Sequence, residues 1–551
     1  MARHFPRDDV HGQEWPADED RQRRQGDQGV VRLTRRADRS PDKPLSADRR
    51  GGDSACFGGE VLPAGGSGQP AVSRDPGEGR GPFRRSIGGV ASLPGTVRPV
   101  LLLVLPALLE QVLAISVGFT DKWLAGNLLD GPSYLAAVGL VGYALGFLPG
   151  LFAVPAVAVT ALVARCVGGG DLVGARRAAG QAFVVGAVLV GIVGMAAALG
   201  GRWLVALLGL PTESSALAME YLAIVIPALP AMMIIGVGVA ILRGSGDMVA
   251  GLVSMTVVNL VNAGASYALA AGVGGLPRLG WQGLAWGTLI GYGCGAICTL
   301  WLLLHRDRQL RPAPGDLVPD RQGLRRILSV GLPAGMDAIG NAVCHLWFLS
   351  VVNRLGDVDA AAHAVAITIE SLAFLPGSAF GMAAATLSGQ FLGARDERRA
   401  RQSVWLAAAG CVGLMSAMGA VFLVAADPLA GWFVGGAGRQ PEVAALTARL
   451  VRIVAFAQPP LAMLMVFSGG LRGAGATRPP LVVNFLGLIL IRLPLAMLLA
   501  WPGVPLPGGA TIAGWGLGAV GAWYAMAIDL TVRGVAMALI FSGRRWMRTG
   551  A

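Results

Sequence analysis

LVARCVGGGDLVGARRAA (Leu162 to Ala179) and LSGQFLGARDERRARQSV (Leu387 to Val404) are one pattern written twice. At an offset of 225 residues, Leu162, Gly168, Asp171 and Arg176 fall on Leu387, Gly393, Asp396 and Arg401. Working outward, LRGSGD at Leu242 matches LRGAGA at Leu471 at an offset of 229, and Leu279, Gly280 and Gly283 match Leu517, Gly518 and Gly521 at 238. Small loop insertions give such a drift. The repeats run from Leu105 to Leu304 and from Gly331 to Trp546. Self-similarity over a long period fixes the architecture before any local reading. Here it predicts two pseudo-equivalent lobes meeting at a central cleft, a common plan for secondary transporters.

Composition places the repeats in lipid. The chain is 54% hydrophobic and 14% charged, and residues 1–90 hold sixteen of the 45 Lys and Arg and fourteen of the 33 Asp and Glu. Too little polar surface is left for a soluble multidomain protein. A helix needs roughly 20 apolar residues to cross about 30 Å of hydrocarbon, which gives six spans per repeat. They are centred near Val112, Phe147, Val188, Pro230, Val261 and Ala296, then Ala342, Leu375, Cys411, Leu461, Leu488 and Ala527. The segments are apolar throughout rather than at every second residue, which speaks against a β-barrel. The predicted fold is all-α and integral to the membrane, with twelve transmembrane helices in two pseudo-symmetric six-helix lobes: 91–310, a linker at 311–322, and 323–551.

The arginines orient the bundle. One set of loops carries Arg165, Arg176, Arg177, Arg243, Arg306, Arg308, Arg395, Arg398, Arg472, Arg478 and Arg544, among others; the opposite set carries mainly Lys122, Arg202, Arg278, Arg354 and Arg439. Excess Lys and Arg marks the cytoplasmic side, so both termini are expected there, in the inner (plasma) membrane. Residues 1–90 are polar, with charges of both signs and no apolar run, so they read as a disordered cytoplasmic tail, not a signal peptide. Their charges nearly cancel, which argues against a nucleic-acid-binding arm.

Chemistry of other kinds finds no support. The cysteines show no metal spacing, and no phosphate loop, dinucleotide fingerprint or nucleophile elbow is present. Cofactors, metals and catalytic residues are therefore not expected, and the expected partners are the bilayer and a small organic molecule, with the chain acting as a monomer.

Charge inside the apolar spans is the functional signal, because burying it costs several kcal/mol or more. In LPALLEQVLAISVGFTDKWLAG, Glu110 and Asp121 stand eleven residues apart, about three turns, on one helix face. Asp121 is either a proton or cation site or half of an interfacial ion pair with Lys122. Glu110 has its counterpart in Asp337, each four residues after a proline (Pro106, Pro333), which favours a structural or gating role. Glu370 lies about halfway along a long apolar helix with no basic residue near it in sequence. Either another span supplies a partner, or Glu370 is protonated, or it is a neutral acid held by backbone or by Asn341. Asp529 and Arg533 are one turn apart on the last span, and Arg492 lies inside the eleventh; these are expected to compensate one another and hold the lobe together.

GFTD in the first span, LAAVGL, GGGDLVGARRAA, LRGSGD, VNLVN, AAAHAVAITIESLAFLPG and LSGQFLGARD, in that order, resemble the multidrug and toxic compound extrusion (MATE) family. The resemblance covers Arg98 to Trp546. It implies a two-lobed antiporter that expels cationic, amphipathic drugs or metabolites against an inward proton or sodium gradient. It also implies that Asp121 is the coupling carboxylate of the N-terminal lobe, Asn262 its polar companion and Glu370 the acid of the C-terminal lobe. Two positions depart from the family. Ser266 stands where some members have an aspartate four residues after the residue matching Asn262, and Asn341 stands where others have a glutamate. The first departure weakens a sodium site and favours protons. A lipid-linked oligosaccharide flippase of the same superfamily would share the fold but needs a strongly cationic cavity, for which Arg492 and Arg533 are the candidates. An integral-membrane enzyme would need a cluster of His, Cys or acids near one interface, and none assembles. The abundance of Ala, Gly and Val and the scarcity of aromatics predict a roomy, smooth-walled cavity.

Overall fold

A computed structural model describes residues 93, 95–129, 132–146, 148–207, 212–305, 310–434, 440–505 and 511–548. The expected tail at 1–90 lies outside the described residues, as do Arg306, Arg308 and Arg439. Twelve of the described helices are long and apolar enough to cross a membrane. They are α1 (Val97–Leu128), α2 (Gly150–Gly169, with Pro132–Gly146 leading into it), α3 (Leu172–Ala197), α4 (Ser214–Ser245), α5 (Val249–Ala271) and α6 (Trp281–His305). The second set is α7 (Arg321–Asn353), α8 (Asp357–Gly393), α9 (Glu397–Val424), α10 (Pro441–Gly473), α11 (Arg478–Ala500) and α12 (Gly518–Ser542). Eleven of the twelve expected centres fall within these helices; Phe147 lies outside the described residues, between two helical stretches. The all-α expectation is met except for a small antiparallel hairpin, β1 (Gly503–Pro505) and β2 (Thr511–Ala513), between α11 and α12.

The duplicated stretch is a helix-turn-helix in both lobes. Where α2 ends, the Asp171 N–H donates to the Cys166 carbonyl at 2.8 Å and the Asp171 carboxylate caps α3 by accepting from the Gly174 N–H at 2.8 Å. Where α8 ends, the Asp396 N–H donates to the Phe391 carbonyl at 2.9 Å and its carboxylate accepts from the Arg399 N–H at 2.9 Å. A left-handed residue closes one helix, and an aspartate opens the next. That left-handed position is Gly170 (φ 77°) in the first copy and Arg395 (φ 59°) in the second. The LRGSGD and LRGAGA turns repeat the device, with Gly246 and Gly475 at φ 92° and 82°. Prolines also recur inside equivalent helices, as Pro106 and Pro333 in α1 and α7 and Pro155 and Pro376 in α2 and α8. Each lacks the backbone N–H of a helix hydrogen bond, a loss that membrane bundles tolerate because neighbours satisfy the freed carbonyl.

The lobes, α1 to α6 and α7 to α12, meet along α2 and α8, flanked by the equivalent contacts α1 with α8 and α2 with α7. The approach is backbone to backbone. A Cβ at Gly168 would overlap the Gln390 carbonyl, and one at the equivalent Gly393 would overlap the Arg165 carbonyl. Across the same seam the Gln390 amide donates to the Gly244 carbonyl at 2.8 Å and the Thr386 hydroxyl to the Arg243 carbonyl at 3.1 Å. Gly168→Val therefore forces the lobes apart at this end, an overpacking that costs about 1–3 kcal/mol. It is expected to cut transport severely while the protein still reaches the membrane. Efflux equal to wild type at equal membrane abundance would contradict this contact.

Candidate functional site

Five buried or half-buried acids inside the spans divide into two kinds by their partners. Glu110 on α1 is ion-paired to Arg243 on α4, and Asp337 on α7 is ion-paired to Arg472 on α10. These two pairs are equivalent under the duplication. Arg243 and Arg472, assigned from sequence to cytoplasmic loops, instead occupy the last turns of their helices and line the central cavity. The repeat carried the signal: each acid follows a proline by four residues, and each arginine is the second residue of an LRG turn. Asp337 also accepts from the Asn484 amide at 2.8 Å and from the Asn341 amide at 3.2 Å. Asn341 therefore serves Asp337 and does not hold Glu370.

Asp529, fully buried on α12, sits between two guanidiniums. Arg533 donates to it from Nε at 2.9 and 3.0 Å and from Nη2 at 2.6 Å, and Arg492 donates from Nε at 2.9 Å. Arg533 continues to the Asn484 carbonyl at 3.0 Å, so Arg492, Asp529, Arg533, Asn484, Asp337 and Arg472 form one connected network. Arg492 and Arg533 are both ion-paired to Asp529, and both arginines also line the cavity. Arg492 is the last residue of a π-helical turn, Gly487–Arg492 of α11, a local widening often found at functional sites.

Asp121 and Glu370 are the other kind. Asp121, 7% exposed, accepts from the Tyr221 hydroxyl at 3.0 Å, from Thr288 at 3.2 Å and from the Asn262 amide at 3.5 Å. All three donors are neutral. Lys122 is exposed, and among the described residues no ion pair joins it to Asp121, so the interfacial pair weighed from the sequence is not formed. Asn262 also donates to Thr288 at 3.1 Å and to Ser266 at 3.4 Å, and its carbonyl oxygen is buried without a partner. The cluster is held tight because Gly287 and Gly291 on α6 present no Cβ to α5, where one would overlap Ser266 and Asn262. Tyr221 and Thr288 were not singled out in the sequence. The only signal for them was a phenol and a hydroxyl placed within otherwise apolar spans.

Glu370 lines a cavity of about 680 Å³ to which both lobes contribute, Ile115, Thr160 and Arg243 from one and Asn341, Leu464 and Arg492 from the other. Its walls are mostly small or aliphatic, as composition predicted. Among the described residues no group of three or more His, Cys, Asp or Glu is placed to hold a metal ion.

A duplicated bundle with charged groups buried in both lobes and a cavity shared between them is the architecture of a membrane transporter. The family profile described as MatE matches residues 106–268 and 333–498, one match per lobe, and the chain belongs to that family of multidrug and toxic compound extrusion transporters. Similar proteins include the probable multidrug resistance protein NorM of Thermotoga maritima, 25% identical and covering 82% of this chain and 94% of that protein. A second, the probable multidrug resistance protein NorM of Bradyrhizobium diazoefficiens, is 28% identical and covers 78% and 90%. Among solved structures, a MOP superfamily transporter from Pyrococcus furiosus superposes with a TM-score of 0.75 at 21% identity, covering 83% of this chain and 98% of that one. The last comparison supports the fold alone.

Proposed function

We propose that the protein is a secondary antiporter that exports cationic or amphipathic small organic molecules in exchange for protons, with Asp121 as the coupling group. One observation carries this reading. Glu110, Asp337 and Asp529 each have an arginine as fixed counter-ion, whereas Asp121 is buried and, among the described residues, bonded by neutral donors only. A buried carboxylate without a counter-cation is costly when ionised, so its charge is best balanced by an ion that comes and goes with the transport cycle. The unpartnered Asn262 carbonyl, after an amide flip, offers the acceptor that a protonated Asp121 needs. Sodium is the second reading: the same oxygens suit a hard cation. With Ser266 in place of a second carboxylate, such a site would hold only one negative charge.

The flippase alternative is not favoured. Four arginines line the cavity, more than the two expected, but Arg243, Arg472, Arg492 and Arg533 are all engaged by buried acids. The protein is a multi-pass membrane protein, and we place it in the inner (plasma) membrane with both termini in the cytoplasm. Cysteines at Arg395 and Pro505 report the orientation: the first is expected to react only with reagent on the cytoplasmic side and the second only from outside. The reverse pattern would overturn it. The coupling ion is tested by loading proteoliposomes with a fluorescent organic cation and imposing proton and sodium gradients separately; efflux driven by sodium alone would overturn proton coupling.

A further inference from the structure

We propose that the arginine-rich end of the C-terminal lobe holds the headgroup of one anionic phospholipid, seated between the start of α9 and the turn that follows α12. The two lobes treat one equivalent position differently. In the N-terminal lobe, Arg176 on α3 is ion-paired to Asp316 of the inter-lobe linker at 2.6 Å. The linker lies directly against α3. A Cβ at Gly180 would overlap the Asp316 carbonyl, and the Gln181 amide donates to the carbonyls of Asp316 at 2.9 Å and Val318 at 2.7 Å. The segment that follows α6 thus supplies the anion for Arg176 from within the chain.

At the offset of 225 residues, Arg176, Gly180 and Gln181 become Arg401, Trp405 and Leu406 on α9. The anchoring amide is gone, and an indole stands where the glycine admits the linker. The segment that follows α12 brings arginines in place of an acid. It forms a turn, Arg545–Arg548, pinned by Trp546, which is 3% exposed. Trp546 stacks on Phe541 with ring centroids 4.5 Å apart and donates from its indole to the Phe541 carbonyl at 2.8 Å. Phe541 also meets Trp405, at 6.5 Å, so the turn and the start of α9 share one corner of the lobe. Arg398, Arg544, Arg545 and Arg548 are exposed there and Arg401 is half-buried; among the described residues none of the five has an ion pair. The acid in the first turn of α9, Glu397, does not pair with Arg401 one turn on. Arg399 donates to the Leu93 and Gly95 carbonyls and is not counted with them.

Charge and depth select the occupant. Guanidinium groups bind phosphate through paired N–H donors, and clustered arginines just outside a span attract anionic lipid. Trp405, 38% exposed, lies one turn deeper than Arg401. That is the place of an interfacial tryptophan, with headgroups on its outer side and acyl chains on its inner side. A soluble anion engages the arginines alone, whereas a phospholipid engages the arginines and the indole together.

Native mass spectrometry of the detergent-purified full chain, titrated with phosphatidylglycerol or with phosphatidylcholine, tests this. The wild type should retain one phosphatidylglycerol about tenfold or more tightly than phosphatidylcholine. Arg401→Gln combined with Arg545→Gln should lose that preference. Arg544→Gln combined with Arg545→Gln changes exposed residues only, and it carries the test if the first pair does not fold. Arg321→Gln combined with Arg325→Gln removes the same charge from exposed arginines at the start of α7 and should keep the preference. Excess glycerol phosphate should not displace the lipid. No preference in the wild type, equal losses in the α7 and α9 variants, or displacement by glycerol phosphate would overturn the proposal. A preference that emerges only after deletion of residues 1–90, with their fourteen acids, would assign the patch to the chain itself and overturn it as well.

Discussion

Asp529→Ala should be the most destabilising single substitution in the C-terminal lobe. Asp529 is fully buried and, among the described residues, is the sole acid in the ion pairs of Arg492 and Arg533, which are themselves 2% and 3% exposed. Removing one partner of a buried ion pair costs about 3–5 kcal/mol because it strands the other charge, and here two charges are stranded. The loss would appear as a large drop in the unfolding temperature of detergent-solubilised protein and low recovery from membranes. Asp427→Ala is the control. Asp427 pairs with Arg452 at the surface, where both side chains are well exposed, so its loss should cost no more than about 1 kcal/mol. Similar melting temperatures for the two variants would mean that the Asp529 network does not hold the lobe together.

Asp121→Asn should abolish gradient-driven efflux while leaving folding and insertion intact. The amide keeps the size of the side chain and can still accept from Tyr221 and Thr288 through its oxygen, but it cannot exchange a proton. Tyr221→Phe removes one of the three donors, a hydrogen bond to a charged acceptor worth about 1.5–3 kcal/mol, and should weaken transport without abolishing it. Lys122→Ala should leave transport near wild type, because Lys122 is exposed and makes no ion pair with the carboxylate. Loss of transport in Lys122→Ala equal to that in Asp121→Asn would return Asp121 to the role of an interfacial ion-pair partner.

The fold was legible because its determinants are local or repeated. Apolar runs of membrane-spanning length set the twelve helices, and the duplicated turns at Asp171 and Asp396, each an aspartate cap after a left-handed residue, set the equivalence of the lobes. The site was legible chiefly in its acids and in the Arg492–Asp529–Arg533 group. Asp121, Glu370 and Asp529 announce themselves because an acid in an apolar span needs a reason. Arg533 lies one turn from Asp529 on the same helix, but the other partners come from helices 37 to 167 residues away, at distances no periodicity encodes: Arg492 to Asp529, Tyr221 and Thr288 to Asp121. Arg243 and Arg472 were misplaced for a related reason. Arginines next to glycine-rich turns look like loop residues, and only the acid recurring at Glu110 and Asp337 hints that each is drawn back into its bundle. The π-helical turn at Gly487–Arg492, which ends on Arg492, has no sequence signature that we recognise.

The most direct test of proton-coupled export is the movement of protons driven by substrate. Proteoliposomes loaded with an organic cation and an internal pH dye, then diluted into substrate-free buffer at equal pH without sodium, should acidify inside as substrate leaves and protons enter. Asp121→Asn vesicles should not acidify. Substrate efflux from wild-type vesicles without acidification, or acidification in Asp121→Asn equal to wild type, would contradict the assignment of Asp121 as the group that carries the proton.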